Sequence, residues 1–127
     1  MSQKMIFPSF SSLVIHGKHL GRTIGFPTAN VKLDSSCTVL SDGTYGLKVF
    51  VDGKSYYGIG VYLRSQELFE AHLFDFSQDI YGEIITVTPL FLIRENQKFS
   101  GIEALKSQIE KDREVMQNWI SKNNEGE

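Results

Sequence analysis

The sequence is poor in cysteine, and the one it has, Cys37, cannot form an intramolecular disulfide. The fold therefore holds without such staples, which fits a reducing compartment. No apolar run approaches the ~20 residues that span a bilayer, and the start of the chain, Met1 to Pro8, contains no long apolar signal segment. A soluble, unexported, cytoplasmic protein with no membrane partner is expected. Internal repeats and low-complexity stretches are absent too, and the glycine-rich stretch from Val14 to Asn30 contains no Gly-Lys-Ser/Thr, so it is not a Walker A loop. Nor is there an excess of positive charge. Thirteen basic residues against fifteen acidic give a net charge of −2, which argues against a chain whose main task is coating nucleic acid. What is present is a 127-residue chain, 41% hydrophobic, enough for one domain with a real core and too short for two ordinary ones. Residues 1–127 are read as a single domain, expected to be monomeric.

The few charges are unevenly spread. Lys4, Lys18, Arg22 and Lys32 precede the first acidic residue, whereas Glu67, Glu70, Asp75, Asp79 and Glu83 fall in a stretch from Ser65 to Ile93 that has no Lys or Arg. A fold that joins the two stretches could hold an anion and a metal cation in one site.

Period-2 alternation dominates the middle of the chain. Tyr45, Leu47, Val49 and Val51 point to one face, and Asp52-Gly53 supplies a two-residue type I′ turn into a returning strand from Lys54 to Leu63. That turn predicts Val51 opposite Lys54 and Val49 opposite Tyr56. From Phe69 to Phe76 the alternation puts Glu70 and His72 on one face. Ser77-Gln78-Asp79 reads as a turn, and Ile80 to Ile93 as a long β segment with a bend or bulge at Gly82 or Pro89, paired antiparallel with the strand before it. The period then changes. Ile102, Leu105, Ile109, Met116 and Trp119 share one face of an amphipathic helix from about Ser100 to Ser121, opened by a capping box at Ser100 and Glu103, with residues 122–127 a frayed tail. The Met116 and Trp119 stripe is core by its spacing. The class is mainly β: a small antiparallel barrel with one C-terminal amphipathic helix.

Between Val14 and Asn30, Gly17, Gly21 and Gly25 recur every four residues around Lys18, His19 and Arg22, a pattern that could cradle a phosphate or form a solvated hairpin turn. Composition does not choose between them. After Phe26-Pro27, Thr28 and Asn30 project to the same side of an extended segment and offer neutral hard oxygens suited to Mg²⁺, given phosphate oxygens to complete its shell. The other reading of that pair is a satisfied turn. Glu70 stands among Phe69, Leu73, Phe74 and Phe76, a setting in which a carboxylate needs a partner or a function.

Gly-Phe-Pro-Thr-Ala-Asn at Gly25 to Asn30, Gly-Thr-Tyr at Gly43, Glu-Ala-His-Leu-Phe-Asp-Phe at Glu70 and Asp-Ile-Tyr-Gly at Asp79 together resemble the riboflavin kinase family. The resemblance continues through Ile93-Arg-Glu-Asn-Gln-Lys-Phe99 and the helix with Leu105, Gln108, Ile109 and Asp112, covering nearly the whole chain in order. It implies a Greek-key β-barrel that phosphorylates the riboflavin 5′-hydroxyl with MgATP, giving FMN and ADP. By motif position it implies Glu70 as catalytic base, Thr28 and Asn30 as Mg²⁺ ligands, and Gly17, Arg22, Thr28, Leu73, Asp75 and Tyr81 at the ATP. It also implies Val87, Leu90, Leu92 and Arg94 at the flavin. Because the kinase motif begins within twenty residues of Met1, the chain is not expected to make FAD. The family's Asn-x-Gly and Pro-Thr segment before the catalytic Glu is missing here, where Tyr57 to Leu63 leads quickly to Glu70. That shortening raises an alternative, a non-catalytic flavin or nucleotide-binding barrel that has lost efficient turnover. A small oligonucleotide-binding barrel is a third reading, disfavoured by the net acidity.

Overall fold

The alternation of Gly43–Val51 closes into structure through the Asp52-Gly53 turn, where both residues take positive φ, 53° and 78°, as a type I′ turn requires. The computed structural model describes residues 7–15, 28–76 and 79–124. Its strands are β1 (Phe10–Ile15), β2 (Ala29–Lys32), β3 (Gly43–Val51), β4 (Lys54–Leu63), β5 (Leu68–Leu73) and β6 (Ile84–Arg94), followed by helix α1 (Ile102–Asn124). β3 and β4 pair in the register that the turn predicts, Val51 with Lys54 and Val49 with Tyr56. Among the described residues all pairings are antiparallel and the sheet closes as β1-β2-β5-β4-β3-β6, so β2 lies beside β5 in Greek-key fashion and no described strand is left as an edge.

One pairing differs from the sequence reading. The segment after residue 79 does not pair with β5; β6 begins at Ile84 and lies between β1 and β3. β5 is shorter than its alternation suggested, because Phe74-Asp75 turns away with Asp75 at φ 56°. The turn read at Ser77-Gln78 lies outside the described residues. Near Pro89 the expected bulge is present: Leu47 pairs with Pro89 but Gly46 with Phe91, leaving Leu90 as an extra residue. A second shift leaves Ile93 extra between Leu92 and Arg94. The extra residue reverses the alternation. Ile85, Val87 and Pro89 are buried on the barrel side, whereas Phe91 turns outward to stack on Trp119 of α1, ring centroids 5.6 Å apart.

Inside the barrel, Tyr45, Tyr62 and Phe69 pack together with Leu47, Val49 and Val87. The two tyrosines carry their hydroxyls to backbone carbonyls, Tyr62 donating to Leu33 at 2.9 Å and Tyr45 to Ser41 at 2.7 Å. Burial pushes the Tyr62 phenol above its ordinary value. The folded state therefore keeps this proton where the unfolded chain releases it, and stability falls as pH rises past the ordinary phenol value of about 10. Tyr62→Phe is expected to cost about 1 kcal/mol at neutral pH for the lost hydrogen bond and to flatten the alkaline decline. Urea unfolding at several pH values checks this; an unchanged alkaline slope would assign the decline to other groups.

The short β4–β5 connection is tied down rather than loose. Arg64 to Gln66 make one 3₁₀ turn, and Glu67 takes φ 51°. The Arg64 guanidinium donates to the carbonyls of Ser35 and Leu40, both at 2.9 Å, while the Glu67 carboxylate accepts from the Ser35 amide at 2.7 Å. Beside them, bonds from the Ser36 amide and hydroxyl hold the Asp34 carboxyl below its usual range.

Helix α1 starts at Ile102, not Ser100, and runs to Asn124, so residues 122–124 are helical rather than tail; residues 125–127 lie outside the described ones. Ile102 is 51% exposed and does not belong to the packed stripe that the sequence suggested. Met116 does, and so does Asp112, both fully covered by the barrel side. Gly46 permits this approach: a Cβ there would come within 2.6 Å of the Met116 sulfur and 2.7 Å of the Phe91 ring. Among the described residues no helix is long and apolar enough to cross a membrane.

Candidate active site

Residues directly opposite one another across strands share a face, so the ladders draw a line over the outside of the barrel. Asn30 on β2 faces Glu70 on β5, Glu70 faces Val61 on β4, Val61 faces Thr44 on β3, and Thr44 faces Arg94 on β6. The neighbouring line runs from His72 through Ile59 to Gly46. Over these lines lies a cavity of about 230 Å³, walled on the other side by the β6–α1 connection and by Leu105, Ile109 and Asp112 of the helix. Thr28, Thr44, Glu70, His72 and Arg94 all line it.

The two ends of the cavity differ in chemistry. At one end stand Thr28, Asn30, Glu70 and His72; Asn30 is 2% exposed and in register with the carboxylate. At the other end Arg94 forks onto Asp112, with Nε and an Nη donating to its two oxygens at 2.9 Å each. Asp112 is 2% exposed and also accepts from the Gln108 amide at 3.0 Å, so its buried charge is fully partnered. The Arg94 guanidinium lies over the Phe99 ring, 5.6 Å from its centre, and Asn96 donates to the Tyr62 carbonyl at 3.1 Å. These bonds fasten the β6–α1 connection as a wall of the cavity.

Among the described residues no three His, Cys, Asp or Glu side chains gather as a metal cluster. A divalent ion here would depend on neutral oxygens and a phosphate-bearing ligand, and Thr28 with Asn30 two residues on supplies that donor type beside a carboxylate. A carboxylate next to such a pair, on the rim of a mostly apolar cavity, is equipment for moving a phosphoryl group to an alcohol. The family model for flavokinase, described as riboflavin kinase, matches residues 7–120.

The chain belongs to the riboflavin kinase family. It is 43% identical over 118 residues to a bifunctional riboflavin kinase/FMN adenylyltransferase of Bacillus subtilis, covering 86% of this chain and 37% of that protein. With a second Bacillus subtilis protein, named RNA-binding riboflavin kinase RibR, it shares 42% identity over 106 residues, covering 78% of this chain and 45% of the relative. The chain thus spans less than half the length of either. The crystal structure of riboflavin kinase from Trypanosoma brucei superposes with a TM-score of 0.70 over 96% of this chain and 84% of that one, at 22% identity, which shows a shared fold.

Within this riboflavin kinase fold the residues singled out in the sequence separate into groups. Thr28, Glu70 and Arg94 line the cavity and Asn30 lies in register beside it. Gly17 and Arg22 lie outside the described residues. Val87 lies inside the closed barrel, fully buried, and does not line the cavity. Leu73 likewise packs in the barrel core. Leu90 is the bulge residue, Leu92 is exposed, and neither lines the cavity. Asp75 and Tyr81 are exposed outside it. Two residues were missed. Asp112 had a signal, a carboxylate in an otherwise apolar helical stripe with Leu105, Ile109, Met116 and Trp119. Thr44 had a weaker one, its outward phase next to the inward run from Tyr45 to Val51.

Proposed function

We propose that this chain transfers the terminal phosphoryl group of ATP to the 5′-hydroxyl of riboflavin, forming FMN and ADP. The observation that carries this reading is the register of Asn30 with Glu70, which lines the cavity, so that neutral oxygen donors and a carboxylate stand side by side. Mg²⁺, held by Thr28 and Asn30, would neutralise phosphate charge. Glu70 orients the acceptor hydroxyl and takes its proton as the new oxygen–phosphorus bond forms and the bond to the ADP oxygen breaks. His72, on the same face, supports that end of the cavity without a catalytic part. Ile59, Val61, Leu105 and Ile109 supply apolar walls suited to a flat heteroaromatic ring.

Incubation with riboflavin, ATP and Mg²⁺, followed by chromatographic separation of FMN, tests the reading. Tight flavin binding without FMN formation would select the non-catalytic barrel instead. The anchored β4–β5 connection and the full set of cavity residues favour turnover. Asn30→Ala is expected to fold and to require a much higher Mg²⁺ concentration for half-maximal turnover. An unchanged Mg²⁺ titration would remove Asn30 from the metal shell.

A further inference from the structure

At the helix end of the cavity, Thr44 carries a buried hydroxyl that no hydrogen bond among the described residues uses. Arg94 and Asp112 satisfy each other, Asn96 donates to the Tyr62 carbonyl, and Gln97 donates to Gln108. Thr44 stands between them and Val61, 1% exposed, with its hydroxyl lacking any hydrogen-bond partner among the described residues. A buried hydroxyl without a protein partner is a cost to the fold, and valine would fill the same shape without it.

We propose that the Thr44 hydroxyl hydrogen-bonds the polar edge of the acceptor's ring system and so helps select a flavin over a purely apolar aromatic. The proposal rests on the riboflavin kinase reading above and adds a residue to its acceptor subsite. Position supports the ring rather than the sugar chain. Thr44 lies two strands from Glu70 along one line of directly opposed residues, roughly 10 Å at about 4.8 Å per strand. With its terminal hydroxyl at Glu70, even an extended ribityl chain is shorter than that distance, so the ring has already begun where Thr44 stands. Thr44 lines the cavity, and rotation about its Cα–Cβ bond changes which of its two branches faces it. Ile59 and Val61 give it apolar neighbours on the β4 side, and Arg94 opposite it on β6 is already committed to Asp112.

The test compares wild type, Thr44→Val and Thr44→Ser, with riboflavin and lumiflavin, which keeps the ring and lacks the ribityl chain, as probes of binding by flavin fluorescence. Thr44→Val is expected to weaken both flavins roughly tenfold, to leave KM for ATP unchanged, and to raise the melting temperature of the unliganded protein. Thr44→Ser is expected to retain binding. Unchanged flavin affinity in Thr44→Val would overturn the proposal, as would an equal loss in Thr44→Ser, which would assign the effect to the methyl group. Loss confined to riboflavin would move the contact to the ribityl chain and overturn the ring assignment. Wild-type protein that binds neither flavin and forms no FMN would instead overturn the kinase reading itself, and the wild-type control separates that result from the others.

Discussion

Glu70→Gln is expected to fold normally, to bind riboflavin and ATP almost as well as the parent, and to turn over roughly 10²-fold or more slowly. The alcohol proton is held too tightly to leave before a loose phosphoryl-transfer transition state is reached, so under the proposed reading the carboxylate would act by alignment first and as proton acceptor late. Glutamine keeps the shape and one acceptor oxygen and loses both charge and basicity. Glu70 is half-buried on a strand whose inward residues Phe69, Ala71 and Leu73 carry the packing, so the substitution leaves the core alone. Steady-state kinetics with both substrates saturating give the answer, and near-parental turnover would show that Glu70 is not the base.

The largest expected loss of stability belongs to Gly58→Ala. Gly58 pairs with Leu73 between β4 and β5, and a Cβ there would run into the carbonyl oxygen of His72 and lie 3.1 Å from the Leu73 Cα. Those are backbone atoms of the adjacent strand, which cannot rotate away as a side chain can. The strands have to separate locally, and in a closed barrel that displacement is passed to the neighbours of both. A loss of about 3 kcal/mol or more is expected, at the upper end of what overpacking costs. Gly53→Ala makes the comparison informative, since nothing lies within 4 Å of a Cβ at Gly53 and its cost comes only from its positive φ. Denaturant unfolding of the two variants should rank Gly58→Ala clearly lower; equal midpoints would mean that the β4–β5 ladder yields more easily than its backbone contacts indicate.

The parts of this fold that could be read from the sequence are those set by neighbours along the chain. The β3–β4 hairpin follows from Asp52-Gly53 and the alternation on either side, and Glu70 and His72 share a face because they are two residues apart on one strand. The partners of β6 could not be read that way. Alternation from Ile84 to Pro89 marks a strand, but only closure of the barrel decides that it lies between β1 and β3. Val87 shows the same limit at the level of a site, since family position placed it near the flavin while its phase on β6, ahead of the Leu90 bulge, turns it into the core. The juxtaposition of Asn30 and Glu70 was hidden for a related reason. Each was a candidate by residue type and motif, but their pairing across β2 and β5 is a long-range register.

That line of opposed residues also bears on how the protein acquires its activity during folding. Asn30, Thr44, Val61, Glu70 and Arg94 come from five different strands, and β2 meets β5 across the 35 residues that separate Lys32 from Leu68. Such distant pairings pay their loop-closure entropy before they return any contact energy, so they belong to the slow part of barrel formation. A chain with only the β3–β4–β5 meander in place holds Thr44, Val61 and Glu70 but has no Asn30 beside the carboxylate and no Arg94 at the far end. Bound ligand therefore adds its free energy to the closed barrel alone, and does so at the two junctions, β2 with β5 and β3 with β6, on which closure depends.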